Sequence, residues 1–133
     1  MKTTLKHTRT VIYSLFILVM ATGAFTGCKK DKAVKSANLV GKWHGVKLVD
    51  DEDGYVEWAA PSSYIQFNSD GTLSSVDFDG DNVGGGTWSL SGNILTVTSN
   101  YDHVTEYAQV IKLTSNELVL HSQEEGTTAY YQR

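Results

Sequence analysis

The sequence predicts an all-β domain, an eight-stranded antiparallel up-and-down barrel. From Leu39 to the end, no stretch holds apolar residues at helical spacing for several turns, whereas apolar and polar residues repeatedly alternate. Turn-forming residues such as Asp70-Gly71, Ser91-Gly92-Asn93 and Thr114-Ser115-Asn116 break that alternation at short intervals. Every connection after Phe67 is short enough to join sequential antiparallel neighbours, and closing such a meander removes its exposed edges. A two-sheet sandwich is the weaker alternative, because its long crossovers have no obvious place in these loops.

The predicted strands cover about residues 40–49, 63–68, 72–78, 84–90, 93–99, 104–113, 117–122 and 127–132. The first carries Trp43, Val46 and Leu48, and the alternation slips by one at Gly45, which reads as a bulge. The acidic run Asp50-Asp51-Glu52-Asp53-Gly54 ends it. Tyr64-Ile65-Gln66-Phe67 alternates cleanly into the Asn68-Ser69-Asp70-Gly71 hairpin, from which Thr72 starts the return strand. Gly84-Gly85-Gly86 opens the next strand, where missing Cβ atoms permit a bend. Trp88, Leu90, Leu95 and Val97 are the expected inward set of the hairpin that follows. The last two hairpins run from Val104 to His121 and then to Gln132.

Ahead of the barrel lies a different kind of sequence. Lys2, Lys6 and Arg9 precede the apolar run Val11 to Met20, and small residues from Ala21 to Ala24 lead into Phe25-Thr26-Gly27-Cys28. This segment resembles a bacterial lipoprotein signal with its lipobox, with Phe25 standing where such boxes usually carry Leu. The apolar run falls short of the roughly 20 residues that a bilayer core requires, which favours a cleaved leader over a spanning helix. The resemblance implies removal of residues 1–27 and lipid attachment at Cys28, the only cysteine, with the protein anchored in the cell envelope at the outer membrane. No disulfide is then available, so the fold rests on its core. Residues 28–37 form the lipidated N-terminus and linker, whose four lysines either lie against anionic headgroups or keep a solvated tether extended.

The remaining domain, residues 38–133, holds fourteen acids against four Lys and Arg, a net charge of −10. Such a surface repels phosphate backbones and excludes nucleic acid as a partner.

Motifs for chemistry are absent. Asp77, Asp79 and Asp81 alternate like a calcium loop, but an EF-hand needs Gly where Asn82 stands and Glu where Trp88 stands. The three glycines lack the Lys-Ser/Thr of a phosphate loop, and His44, His103 and His121 share no metal-ligand spacing. No nucleophile elbow is present. The expectation is a non-enzyme with no catalytic residues, no metal and no cofactor.

Leu39-Val40-Gly41-Lys42-Trp43 resembles the Gly-x-Trp opening of lipocalin-like proteins. Residues 65–72, 86–97 and 113–120 are similar to the small lipocalin-like domain common in Gram-negative envelope lipoproteins. The Thr-Asp-Tyr loop of larger lipocalins is replaced by Thr114-Ser115-Asn116, and no helix follows the last strand. The resemblance implies a lipocalin-like barrel, with the C-terminal Arg133 capping Trp43. An eight-stranded barrel is either filled by side chains or wide enough for one small ligand. Trp43, Phe67, Phe78, Trp88, Tyr107 and Tyr131 are therefore either a ligand wall or a core plug. Trp43 and Trp88 are both expected to be largely buried. The long first connection is expected over a barrel mouth, making Tyr55 and Trp58 a lid or a partner contact. Trp43, Tyr55, Trp58 and Trp88 are the candidate binding set for a small apolar or amphipathic ligand. The competing reading is a protein-interaction or structural module with a filled barrel, whose partner the sequence does not name.

Overall fold

A computed structural model describes residues 34–133. Cys28, the leader 1–27 and the start of the linker lie outside the described residues. A short helix α1 (Ser36–Leu39) is followed by β1 (Gly41–Asp50), β2 (Val56–Trp58), β3 (Tyr64–Phe67), β4 (Thr72–Val76), β5 (Asn82–Ser91), β6 (Ile94–Ser99), β7 (Thr105–Leu113), β8 (Glu117–Ser122) and β9 (Thr127–Gln132). Sequential antiparallel pairing runs from β3 to β9, and β9 returns to β1 to close the barrel.

Two differences from the expected eight strands stand out. The extra strand is β2, which pairs with the second half of β1 through Lys47 opposite Trp58 and Val49 opposite Val56. The first half of β1 pairs with β3 instead, Gly41 to Phe67 and His44 to Tyr64. β3 is too short to cover a ten-residue strand, and β2 covers the edge that it leaves. The second difference is α1, which begins inside the segment read as linker. It delivers Leu39 into the core, and Val34 packs against that core.

The bulge read at Gly45 is present as a register shift between Gly45 and Lys47. Gly45 faces Tyr131 and Leu48 faces Ala129 across the β1–β9 seam. The extra residue thus keeps Leu48 on the inner face and turns Lys47 outward, where an unbroken alternation would have aimed the lysine into the barrel. A second shift, between Val110 and Lys112, skips the exposed Ile111 and turns Lys112 outward as the first turns Lys47.

The core sits at one end. Trp43 is 0% exposed, and Phe67, Leu39, Leu95 and Leu118 are buried around it. Its indole Nε1 donates to the Leu39 carbonyl at 2.8 Å, which ties α1 across the barrel end. Arg133 covers the ring with its guanidinium carbon 3.9 Å from the centroid and donates from Nη2 to the carbonyls of Val40 and Asn38 at 2.6 and 3.3 Å. The expected cap of Arg133 on Trp43 is therefore present. Gly41 is required there, because its φ is +127° and a Cβ would lie 3.0 Å from the Arg133 guanidinium. Arg133→Ala is expected to lower stability by about 1–2 kcal/mol, from a lost cation–π contact and two charge-assisted hydrogen bonds. Urea denaturation checks it, and an unchanged midpoint would mean that the cap is ornamental.

Trp88 departs from expectation in degree. It packs against the core but is only partly buried, edge-on to Phe67 at 5.3 Å, with its Nε1 donating to the Asn68 carbonyl at 3.0 Å. It sits near the rim, where it anchors the β3–β4 hairpin.

Candidate functional site: an open cavity above the aromatic plug

Plug residues fill only half of the barrel. Above them lies a cavity of about 320 Å³, with Leu73, Leu95, Val97 and Leu120 among its apolar walls. Its room comes from small inward residues. Ala108 on β7 and Ala129 on β9 line it with side chains of a single methyl group. Phe78, from the β4–β5 loop, leans on Tyr131 with ring centroids 5.4 Å apart, and both line the cavity. A second space shares Leu73, Val83, Val97 and Glu106 with it and opens beside Gly84, Gly85 and the loop after β6.

The charged groups at the cavity are of one sign. Asp77, Glu106 and Glu125 line the cavity, and no Lys, Arg or His does. Glu106 stands opposite Val97 in register, on the inward side of β7 that continues through Ala108 to buried Val110. Its carboxyl is pushed above the ordinary glutamate range, chiefly by desolvation and then by the charges of Glu125, Asp102 and Glu124. Desolvation, followed by the Glu106 charge, raises the Tyr131 phenol far above the usual tyrosine range, so it stays a neutral hydrogen-bonding group at neutral pH.

None of Trp43, Tyr55, Trp58 and Trp88 lines this cavity. Trp43 and Trp88 belong to the plug beneath it. Tyr55 and Trp58 are 67% and 71% exposed, and the segment that carries Trp58 forms β2, paired with the edge of the second half of β1. Lys47 lies between two rings there, 5.9 Å from Trp58 and 4.7 Å from Tyr130. The six aromatics split accordingly: Trp43, Phe67 and Trp88 serve the plug, whereas Phe78, Tyr131 and the 57% exposed Tyr107 line the cavity.

The residues that sequence reasoning missed are Glu106, Ala108, Ala129 and the partnership of Phe78 with Tyr131. One signal was available. In Glu106-x-Ala108-x-Val110 an acid keeps period-two register with a buried valine, which places a carboxylate on the inner face.

The acidic turn after β1 is less idle than a solvated run. Asp50 Oδ1 accepts the Glu52 amide at 2.8 Å, and Asp53 Oδ1 accepts the Tyr55 amide at 2.7 Å. Asp51 accepts from the Thr128 hydroxyl at 2.8 Å and pairs with His121 Nδ1 at 3.1 Å, fastening the turn to β8 and β9 at the mouth. Among the described residues, no group of three or more His, Cys, Asp and Glu is arranged to hold a metal ion.

Residues 39–120 match the profile of the lipocalin-like domain, more than half of the chain. The chain belongs to the lipocalin-like domain family. Its fold is shared by a lipocalin-like protein from Bacteroides uniformis ATCC 8492, with 23% identity, a TM-score of 0.58, and coverage of 72% of this chain and 98% of that one. An uncharacterized protein from Bacteroides eggerthii DSM 20697 is similar at 18% identity and a TM-score of 0.57, covering 71% of this chain and 98% of its own. Comparison with curated proteins yields no match. Within this family of barrels, a plugged base and an open upper chamber are compatible with a small apolar ligand.

Proposed function

We propose that this lipocalin-like protein is a lipid-anchored lipoprotein of the cell envelope, held at the outer membrane through Cys28, and that its barrel binds a small apolar or amphipathic molecule without catalysis. The observation that supports binding most directly is the apolar cavity of about 320 Å³, which lies within the usual range of small-molecule pockets, roughly 300–1,000 Å³. Its walls combine aliphatic side chains with the rings of Tyr64, Phe78, Tyr107 and Tyr131 and with carboxylates and hydroxyls, the composition expected of a site that holds a ligand body and orients one end.

Ala129→Phe tests this reading. The new ring is expected to fill the chamber, leave the protein folded and abolish binding of an uncharged environment-sensitive apolar dye. Unchanged dye binding, or none by the parent protein, would count against the cavity as the site. Native mass spectrometry of protein purified from its own cells gives the complementary result, a retained small molecule in the parent and none in the variant.

The second reading, a protein-interaction module, draws on a separate observation. Tyr55 and Trp58 are large exposed aromatics on one outer segment, and aromatics are enriched at protein interfaces. Under that reading Ala129→Phe would change nothing, and substitutions at Trp58 would matter instead.

A further inference from the structure

The charges of this domain are sorted by end. Turns 68–71, 92–93 and 114–116 lie at the plugged end, and loops 51–55, 77–81, 100–104 and 123–126 surround the open one. Of the fourteen acidic residues from residue 34 onward, only Asp70 and Glu117 belong to the plugged end, and the other twelve lie in the open half. Cations divide the opposite way. Lys35, Lys42, Lys112 and Arg133 lie toward the plug, and Lys47 stands on the outer wall between Trp58 and Tyr130.

Several mouth acids have structural duties. Asp50, Asp51 and Asp53 build the first turn, Asp77 accepts the Asp81 amide, and Asp102 accepts the Val104 amide. Glu106 has no such duty. It projects from the inner face of β7, directly above Ala108, into a chamber without a single basic side chain. The ion pairs among the described residues, Lys112 with Glu117 and His121 with Asp51, do not include it.

We propose that the cavity selects a cationic amphiphile, with the apolar body between the aliphatic walls and a protonated amine at Glu106. The inference rests on the reading of the cavity as a binding site and adds the chemical class of its occupant. Three physical effects favour that class. Glu106 still reaches solvent but has lost part of its hydration at the cavity, and an ammonium group offsets that loss through charge-assisted hydrogen bonds. The neutral Tyr131 phenol beside it offers an oxygen acceptor to the same headgroup. The ring of acids around the mouth draws cations toward the opening and repels fatty acids and other anionic amphiphiles.

Calorimetry with a matched trio tests the proposal: phenethylamine, phenethyl alcohol and phenylpropionate share an aromatic body and differ in headgroup charge. The full chain is held in lipid nanodiscs, with empty nanodiscs as the blank. The amine is expected to bind about tenfold more tightly than the alcohol, roughly 1.4 kcal/mol, and the acid more weakly than either. Glu106→Gln is expected to erase that advantage while leaving the alcohol unchanged, and it removes a charge that the fold disfavours, so the variant stays folded. A parent protein that binds the alcohol or the acid as well as the amine would overturn the charge preference and leave the cavity reading intact. No binding of any probe would overturn both. An amine preference that survives Glu106→Gln would remove Glu106 as the seat of the headgroup and overturn the proposal.

Discussion

Trp43→Ala is expected to lower the stability of this domain by about 3–5 kcal/mol, the range for truncating a large aromatic side chain in a core. The side chain is fully buried, and three separate attachments converge on it. Its ring fills the base of the barrel, its Nε1 holds the Leu39 carbonyl at 2.8 Å, and its face supports Arg133 at 3.9 Å. Truncation would leave a cavity, strip the Leu39 carbonyl of its donor, and free the C-terminal residue whose guanidinium ties down Val40 and Asn38. Whole domains are stable by only about 5–15 kcal/mol, so this one change removes a large share. Urea denaturation at constant slope measures it. A loss below about 1 kcal/mol would show that the plug does not hold the barrel. Trp88→Ala should cost less, because part of that ring already meets solvent and its main duty is to one hairpin.

The contrast between these two tryptophans shows where sequence legibility ended. Period-two alternation and turn chemistry report which residues share a face, and they placed the barrel strands, the bulge at Gly45 and the inward set Trp88, Leu90, Leu95 and Val97. They do not report height along the barrel axis. Trp43 and Phe78 are both apolar aromatics expected inside, yet one lies in the plug and the other beside an open chamber. A cavity also has no positive signal of its own. It exists because Ala108 and Ala129 are small, and an alanine in a strand looks the same whether a neighbour fills the space or nothing does. β2 was hidden for another reason. Three residues are too few to show a period, and what holds Trp58 outside is its cross-strand partner Lys47, which is eleven positions away in sequence. Among the site residues that were missed, Glu106 was the one within reach, since its register with Val110 was written in the chain.

Cys28→Ser is expected to move the protein entirely from the membrane fraction to the soluble one and to abolish its labelling by palmitate, while leaving the denaturation midpoint of the barrel unchanged. The first two outcomes follow from the proposed lipid attachment. Each buried CH₂ contributes about 0.8 kcal/mol, a single acyl chain anchors only marginally, and loss of the thiol that starts the modification removes every chain that depends on it. The unchanged midpoint follows from the core, whose members among the described residues run from Leu39 to Leu120 with Val34 packed against them. Palmitate labelling that persists in Cys28→Ser would end the lipoprotein proposal without touching the barrel or its cavity.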